Sequence, residues 1–123
     1  MPKTIAIENK DRTRAGALRV KYCNTFLCQL RGLSFRPRLA PDEGLLLVGK
    51  RDSRIDSSIH MFFVPFDLTV IWIDSSLQVV DKVLARAWRP AYFSKRPAQY
   101  TLELHAARWD DFEVGDGVMF RDA

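Results

Sequence analysis

Three acidic or imidazole side chains stand where proton chemistry would be possible. His60 and Asp67 lie inside Ile59 to Asp74, "IHMFFVPFDLTVIWID", an almost wholly apolar segment, and Glu103 follows in "YTLEL". An unpaired charge buried in such a setting costs several kcal/mol, so each group must either react or be neutralised by a partner. A carboxylate beside an imidazole can orient it and charge it near neutral pH, which makes His60 and Asp67 a candidate acid/base pair. The competing reading is that Asp67, just after Pro65, accepts hydrogen bonds from loop amides or an arginine and holds a bend. Glu103 and His105 are two apart and share one face of their strand, read as a solvated outer face. No serine, threonine or cysteine stands in a nucleophile turn that would complete a triad.

A second set of residues suits binding rather than reaction. Between Arg86 and Arg96 the chain interleaves Arg86, Trp88, Arg89, Tyr92, Phe93, Lys95 and Arg96. Guanidinium groups alternating with flat aromatic faces are the chemistry of sites for anionic, sugar-like or peptide ligands, and of single-stranded nucleic-acid binders. Charge is distributed to match: Lys82 to Arg96 holds five basic residues and no acid, whereas six acids face two arginines from Glu103 onward. The formal charge is +4, with 13 arginines and 6 lysines, and one basic surface for an anionic partner is expected.

Other chemistries find weaker support. Gly44, Gly49 and Lys50 match the spacing of a phosphate loop, but Arg51 replaces the required hydroxyl and Leu-Leu-Leu-Val between the glycines reads as a core strand. Cys23, Cys28, His60 and His105 lack the paired short spacings of zinc sites, so no metal and no cofactor is expected. On a helix the two cysteines would lie about 140° apart, which reads as two separate buried thiols rather than a disulfide.

These residues need elements to position them. At 123 residues with 47% apolar composition, one domain over 1–123 with a single core is expected. "TIAIEN" and "ALRVKY" alternate as half-buried strands and can pair as a hairpin. Asn24 or Thr25 caps a helix that carries Phe26, Leu27, Leu30 and Leu33 and ends near Arg36-Pro37. "LLLV" is a short strand followed by a polar loop. Ile59 to Asp74 reads as two strands broken at Pro65, the second apolar on both faces and therefore central. "LQVVDKVL", "YTLEL" and "GVMFR" supply further strands, with a long loop from Ala85 to Gln99 and a helical turn near Arg108. About seven short strands against one main helix give an α+β fold, mainly β, with a compact antiparallel or mixed sheet. The opening "MPKTIAIENKDRTRAG" has no secretory apolar stretch and no segment spans a membrane, so a cytoplasmic domain is expected.

"RGLSFRPRLAPDEGLLLV", "PFDLTVIWIDSSLQVVD", "PAQYTLEL" and "FEVGDGVMF", in that order, resemble the DUF192 family over roughly Val20 to Phe120. The resemblance implies a β-rich, partly barrel-like fold with a helix packed on it, and brings no established reaction. It places Arg31 and Gly32 on the family's Arg-Gly-Leu, Glu43 and Gly44 on its Glu-Gly, and Pro65 and Asp67 on its Pro-Leu-Asp. Ser34 and Met61 depart from the family's methionine and asparagine. The shared motif set also suggests that Arg31 pairs with Asp67, a bidentate guanidinium being the best partner for a carboxylate in an apolar setting. The leading functional expectation is a non-catalytic binding module for an anionic, sugar-like or peptide ligand, or for a protein partner. The alternatives are a small hydrolase or lyase using His60, Asp67 or Glu103, and a single-stranded nucleic-acid binder.

Overall fold

The computed structural model describes residues 3–12 and 16–123, apart from the side chain of Phe26. Its strands are β1 (Thr4–Asn9), β2 (Leu18–Cys23), β3 (Gly44–Ser53), β4 (Leu68–Ile73), β5 (Val79–Ala85), β6 (Ala98–His105) and β7 (Val118–Asp122). They form one sheet in the order β5-β4-β6-β3-β2-β1-β7, antiparallel except for the β2–β3 pair. The expected hairpin of β1 and β2 is present.

The sheet curls until its two edges touch at one end. Val79 N–H donates to Asp116 O, Gly115 N–H to Val79 O and Val118 N–H to Leu77 O, joining the start of β5 to the start of β7. A curled sheet has two sides to cover, and two apolar layers do so. One layer draws on all seven strands, as the inside of a curl must, with Ile7, Val20, Leu46, Ile71, Leu102, Leu104, Phe112 and Val118 at its centre. The other, with Leu45, Met61, Val64, Val70 and Trp72, lies on the opposite face beneath the connecting segments. Trp72 Nε1 and Thr101 Oγ1 both donate to Ser57 O at 2.8 and 3.0 Å, pinning the polar loop after β3 over this second layer. All six residues of β4 are therefore buried, as its doubly apolar pattern requires.

Several expectations are corrected. The helix α1 spans only Phe26–Arg31: Thr25 Oγ1 accepts from Cys28 N–H, and Gly32 closes it at φ 52° while its N–H donates to Cys28 O. Glycine alone adopts that conformation cheaply, so the helix stops there and not at Pro37. Ile59 makes only an isolated bridge with Tyr92, and residues 60–67 form turns instead of a strand, because Met61 N–H is taken by Arg89 O and Pro65 has no donor. β3 continues through the supposed loop to Ser53 by means of a register irregularity after Val48. That strand also uses the Gly44 to Lys50 amides that a phosphate loop would need free.

Cys23 and Cys28 form a disulfide, contrary to the separate thiols expected. Cys23 ends β2 and Cys28 sits in the first turn of α1, so helical spacing does not apply and the Cα atoms approach to 5.8 Å. Closing so short a loop removes about 2 kcal/mol of unfolded-state freedom. Urea unfolding of the Cys23→Ser/Cys28→Ser variant should show a loss of about that size. An unchanged midpoint would mean that the bridge contributes nothing.

The shared-motif residues have structural explanations. Glu43 accepts from Ala40 N–H at 2.9 Å and pairs with Arg36 at 2.7 Å, and these two bonds hold its carboxyl below the usual range. It fixes the turn that delivers Gly44 to β3. A Cβ on Gly44 would lie 2.7 Å from both Leu104 Cδ2 and Val20 Cγ1, so only glycine lets the strand sit that close to its neighbours.

Candidate ligand-binding surface

Asp67 is held by the far side of the long loop. Its Oδ1 accepts from Ala87 N–H at 2.9 Å and its Oδ2 pairs with Arg86 Nη1 at 3.0 Å. The Ala87 amide, helped by Arg86, lowers its pKa against the opposing effect of burial. The expected Arg31 pair is thus replaced: Arg31 is exposed in the last turn of α1 and makes no ion pair among the described residues. Loop amides and an arginine neutralise Asp67, so its role is to hold the bend. Arg31→Ala should therefore change stability by less than about 0.5 kcal/mol, the range of ordinary surface substitutions. A large fall in melting temperature would restore the discarded pairing.

His60 is likewise occupied. Its Nε2 donates to Leu30 O at 2.8 Å and its Nδ1 accepts from Phe62 N–H at 3.2 Å, the roles of a neutral Nε2–H tautomer. The imidazole thereby ties the end of α1 to the turn after Ile59. Asp67 and His60 share no hydrogen bond, and Glu103 joins neither of them among the described contacts.

Glu103 was expected on a solvated face and is instead only 4% exposed. The reason is the second apolar layer: Glu103 stands between Leu45 of β3 and Val70 of β4, on the face that α1 and its following turn cover. Gly32 is the roof, since a Cβ placed there would lie 3.7 Å from Glu103 Oε1. That oxygen has no hydrogen-bond partner, and burial pushes the carboxyl pKa up to about 7. The next residue but one, His105, caps the 3-10 helix Ala106–Asp111 by accepting from Ala107 N–H.

The loop residues separate into distinct groups. Tyr92 turns inward: its backbone bridges Ile59 and its hydroxyl accepts from Arg86 N–H. Arg96 lies beyond Ser94, in a stretch held to Arg54 by Ser94 O and to β5 by Lys95 N–H and Asp81. Trp88 and Arg89 stay at the turn of residues 60–66, where Trp88 N–H donates to Val64 O and Arg89 O accepts from Met61 N–H.

There Trp88 meets two aromatic residues that sequence reasoning passed over. Phe35 stacks on Phe63 with ring centroids 4.6 Å apart, and Phe63 meets Trp88 edge-on at 5.6 Å. The three rings are 67%, 49% and 54% exposed. Each also has a positive φ, 68°, 61° and 67°, although none is glycine. Large side chains in that region carry strain of order 1 kcal/mol apiece, which surrounding bonds must offset. Phe35 N–H donates to Phe63 O at 2.7 Å, and the buried Ser34 Oγ donates to Phe62 O at 2.8 Å, so this serine is one of those restraints. Met61 is fully buried in the core. Phe62 lies beside the His60 ring and Leu30 is exposed at the end of α1, which extends the apolar face. The available signal was bulky aromatics next to turn residues, "SFRP" and "FFVP", with no strand or helix period to bury them.

A curled mixed sheet with a short helix roofing one buried acid, and an exposed aromatic face beside it, defines a small β-rich domain class. The chain belongs to the DUF192 family, "Uncharacterized ACR", whose family model matches residues 7–121. A UPF0127 protein of Thermococcus kodakarensis is 38% identical over 111 residues, covering 90% of this chain and 69% of that protein. One from Pyrococcus abyssi is 31% identical, covering 91% and 94%. Among solved structures, a protein of unknown function from Novosphingobium aromaticivorans has a TM-score of 0.76 at 20% identity, covering 94% of this chain and 83% of its own. A candidate transcription regulator of Sinorhizobium meliloti has a TM-score of 0.79 at 19% identity, covering 98% and 94%. At such identities these two structures speak for the fold alone.

Proposed function

We propose that the protein is a non-catalytic binding module whose ligand surface is formed by Phe35, Phe63 and Trp88 with Arg89 beside them. The observation that carries this reading is the convergence of three exposed aromatic side chains, all in strained backbone conformations, with Phe63 in contact with both Phe35 and Trp88. A fold under no functional demand would relax such residues or bury them, and strain of this kind gathers where a surface must be held ready. The ligand carries an apolar or flat group next to an anionic one, matching rings flanked by guanidinium. The acid/base alternative has less support because His60 and Asp67 are each held by other partners and Glu103 joins neither of them. The Cys23–Cys28 bridge favours an oxidising setting over the cytoplasm expected from the sequence.

A thermal-shift screen against sugars, nucleotides, phosphorylated metabolites, peptides and oligonucleotides tests the reading. A ligand at 100 times its dissociation constant adds about 2.7 kcal/mol. The expected hit is lost in Trp88→Ala and Phe63→Ala. Hits that survive both substitutions would move the site elsewhere, and a steep fall of affinity with salt for oligonucleotides alone would indicate nucleic acid.

A further inference from the structure

Resting on that reading, we infer that the occupant of the aromatic surface is an acidic segment of another protein, with apolar side chains set among its carboxylates. Charge is the first argument. The three segments that build the surface, residues 31–38, 59–66 and 86–89, contain five arginines and no carboxylate. Two of the acids near them are engaged, Asp67 by Arg86 and Glu43 by Arg36. Arg31, Arg38 and Arg89 make no ion pair among the described residues. All three are exposed on the segments that carry Phe35 and Trp88, so they add unpaired positive charge to the aromatic face, which a partner of opposite charge complements and which steers its approach.

Shape and composition give the second argument. Small molecules are held in concave sites that enclose most of their surface. One cleft, of about 730 Å³, is lined by Asn24, Gln29, Val48, Lys50, Arg51 and Asp56, none of which belongs to the aromatic face, and another, of about 550 Å³, is lined by Arg36, Pro37, Arg38 and Glu43, next to Phe35 in sequence but without any of the three rings. The rings follow one another at 4.6 and 5.6 Å and stand exposed on turns. Exposed Trp and Phe ringed by Arg is the composition of protein-interface hot spots. Turns fixed by Phe35 N–H on Phe63 O and Trp88 N–H on Val64 O keep the rings in place before contact, which lowers the ordering cost of docking.

The strain supplies a test that separates binding from stability. Trp88 stands at φ 67°, where glycine is unstrained. Trp88→Gly should melt no lower than the wild-type protein yet bind no partner. Random 12-residue peptides displayed on phage would be selected on the full-length protein, and the enriched sequences made as synthetic peptides and titrated. The expected result is enrichment of Asp and Glu beside Leu, Phe or Trp, with affinity falling at least tenfold in Trp88→Gly, in Arg89→Glu and in 0.5 M salt. Peptides that need Trp88 but lack acidic enrichment would overturn the inference. So would phosphatidylserine vesicles that bind the surface when no peptide does, or sugar or phosphate ligands that need Trp88 in the absence of peptide binders; in each case the binding surface itself stands. If no ligand of any class depends on Trp88 and Phe63, the surface and its partner fall together.

Discussion

Glu103→Gln should stabilise the protein by roughly 3 kcal/mol at pH 8 and leave it almost unchanged at pH 4, because each tenfold change in proton affinity is worth about 1.4 kcal/mol. The carboxyl is raised from 4.5 to about 7 by burial, with Oε1 unbonded beneath Gly32 and apolar neighbours at Leu45 and Val70. A folded pKa above the unfolded one means that the unfolded chain releases this proton first. The native state is therefore fully favoured below about pH 4.5, loses that advantage as pH rises towards 7, and stays without it at higher pH. Glutamine carries no charge to desolvate, so its stability should not follow this decline. Urea unfolding of both proteins from pH 4 to pH 9 gives the comparison directly. Parallel profiles would show that Glu103 finds a partner or water when ionised.

Asp116→Ala should cost about 3 kcal/mol at neutral pH, the scale for removing one partner from a buried ionic cluster. Burial pushes the Asp116 pKa up, but hydrogen bonds from Asn9 Nδ2, Arg12 Nε and Glu113 N–H outweigh it and leave the carboxyl below its ordinary range. The group sits where the sheet closes, since Asp116 O accepts from Val79 N–H and the cluster ties the end of β1 to the approach to β7. Its loss takes from the buried Asn9 amide one of its two acceptors, Asp111 O remaining, and frees Arg12, whose partial exposure softens the penalty. The pH dependence has the opposite sign to that of Glu103. A depressed folded pKa gives stability that is complete above the unfolded value near 3.8 and disappears as pH falls through the folded one. Thermal melts taken from pH 7 downward should show the difference between wild type and variant shrink as the pH falls below 3.8. A difference that stays constant would assign the loss to packing.

The alternation in "TIAIEN", "LRVKYC" and "VMFR" and the doubly apolar "LTVIWI" were sufficient to specify strands, because period-two patterning reports local burial whatever the strands later pair with. An N-cap at Asn24 or Thr25 was readable because it depends on the adjacent turn alone, and Thr25 fills it; that Asp67 is a hydrogen-bonded anchor was readable from its place after Pro65, but its partners were not. What failed depended on distant chain. Glu103 occupies an outward position by alternation, and only the layer of α1 and loops over that face decides that outward means buried. Arg86 replaced Arg31 as the partner of Asp67 because the loop after β5 returns to the bend, an encounter that no spacing encodes. The disulfide required knowing that one cysteine ends a strand and the other opens a helix. Phe35, Phe63 and Trp88 come from three separate turns, each ordinary alone, and only the tertiary structure brings the rings into contact and fixes their strained backbones. Residue type and period determined the strands and their caps through local physics; the candidate surface and the buried acid were decided by which distant segments cover the sheet.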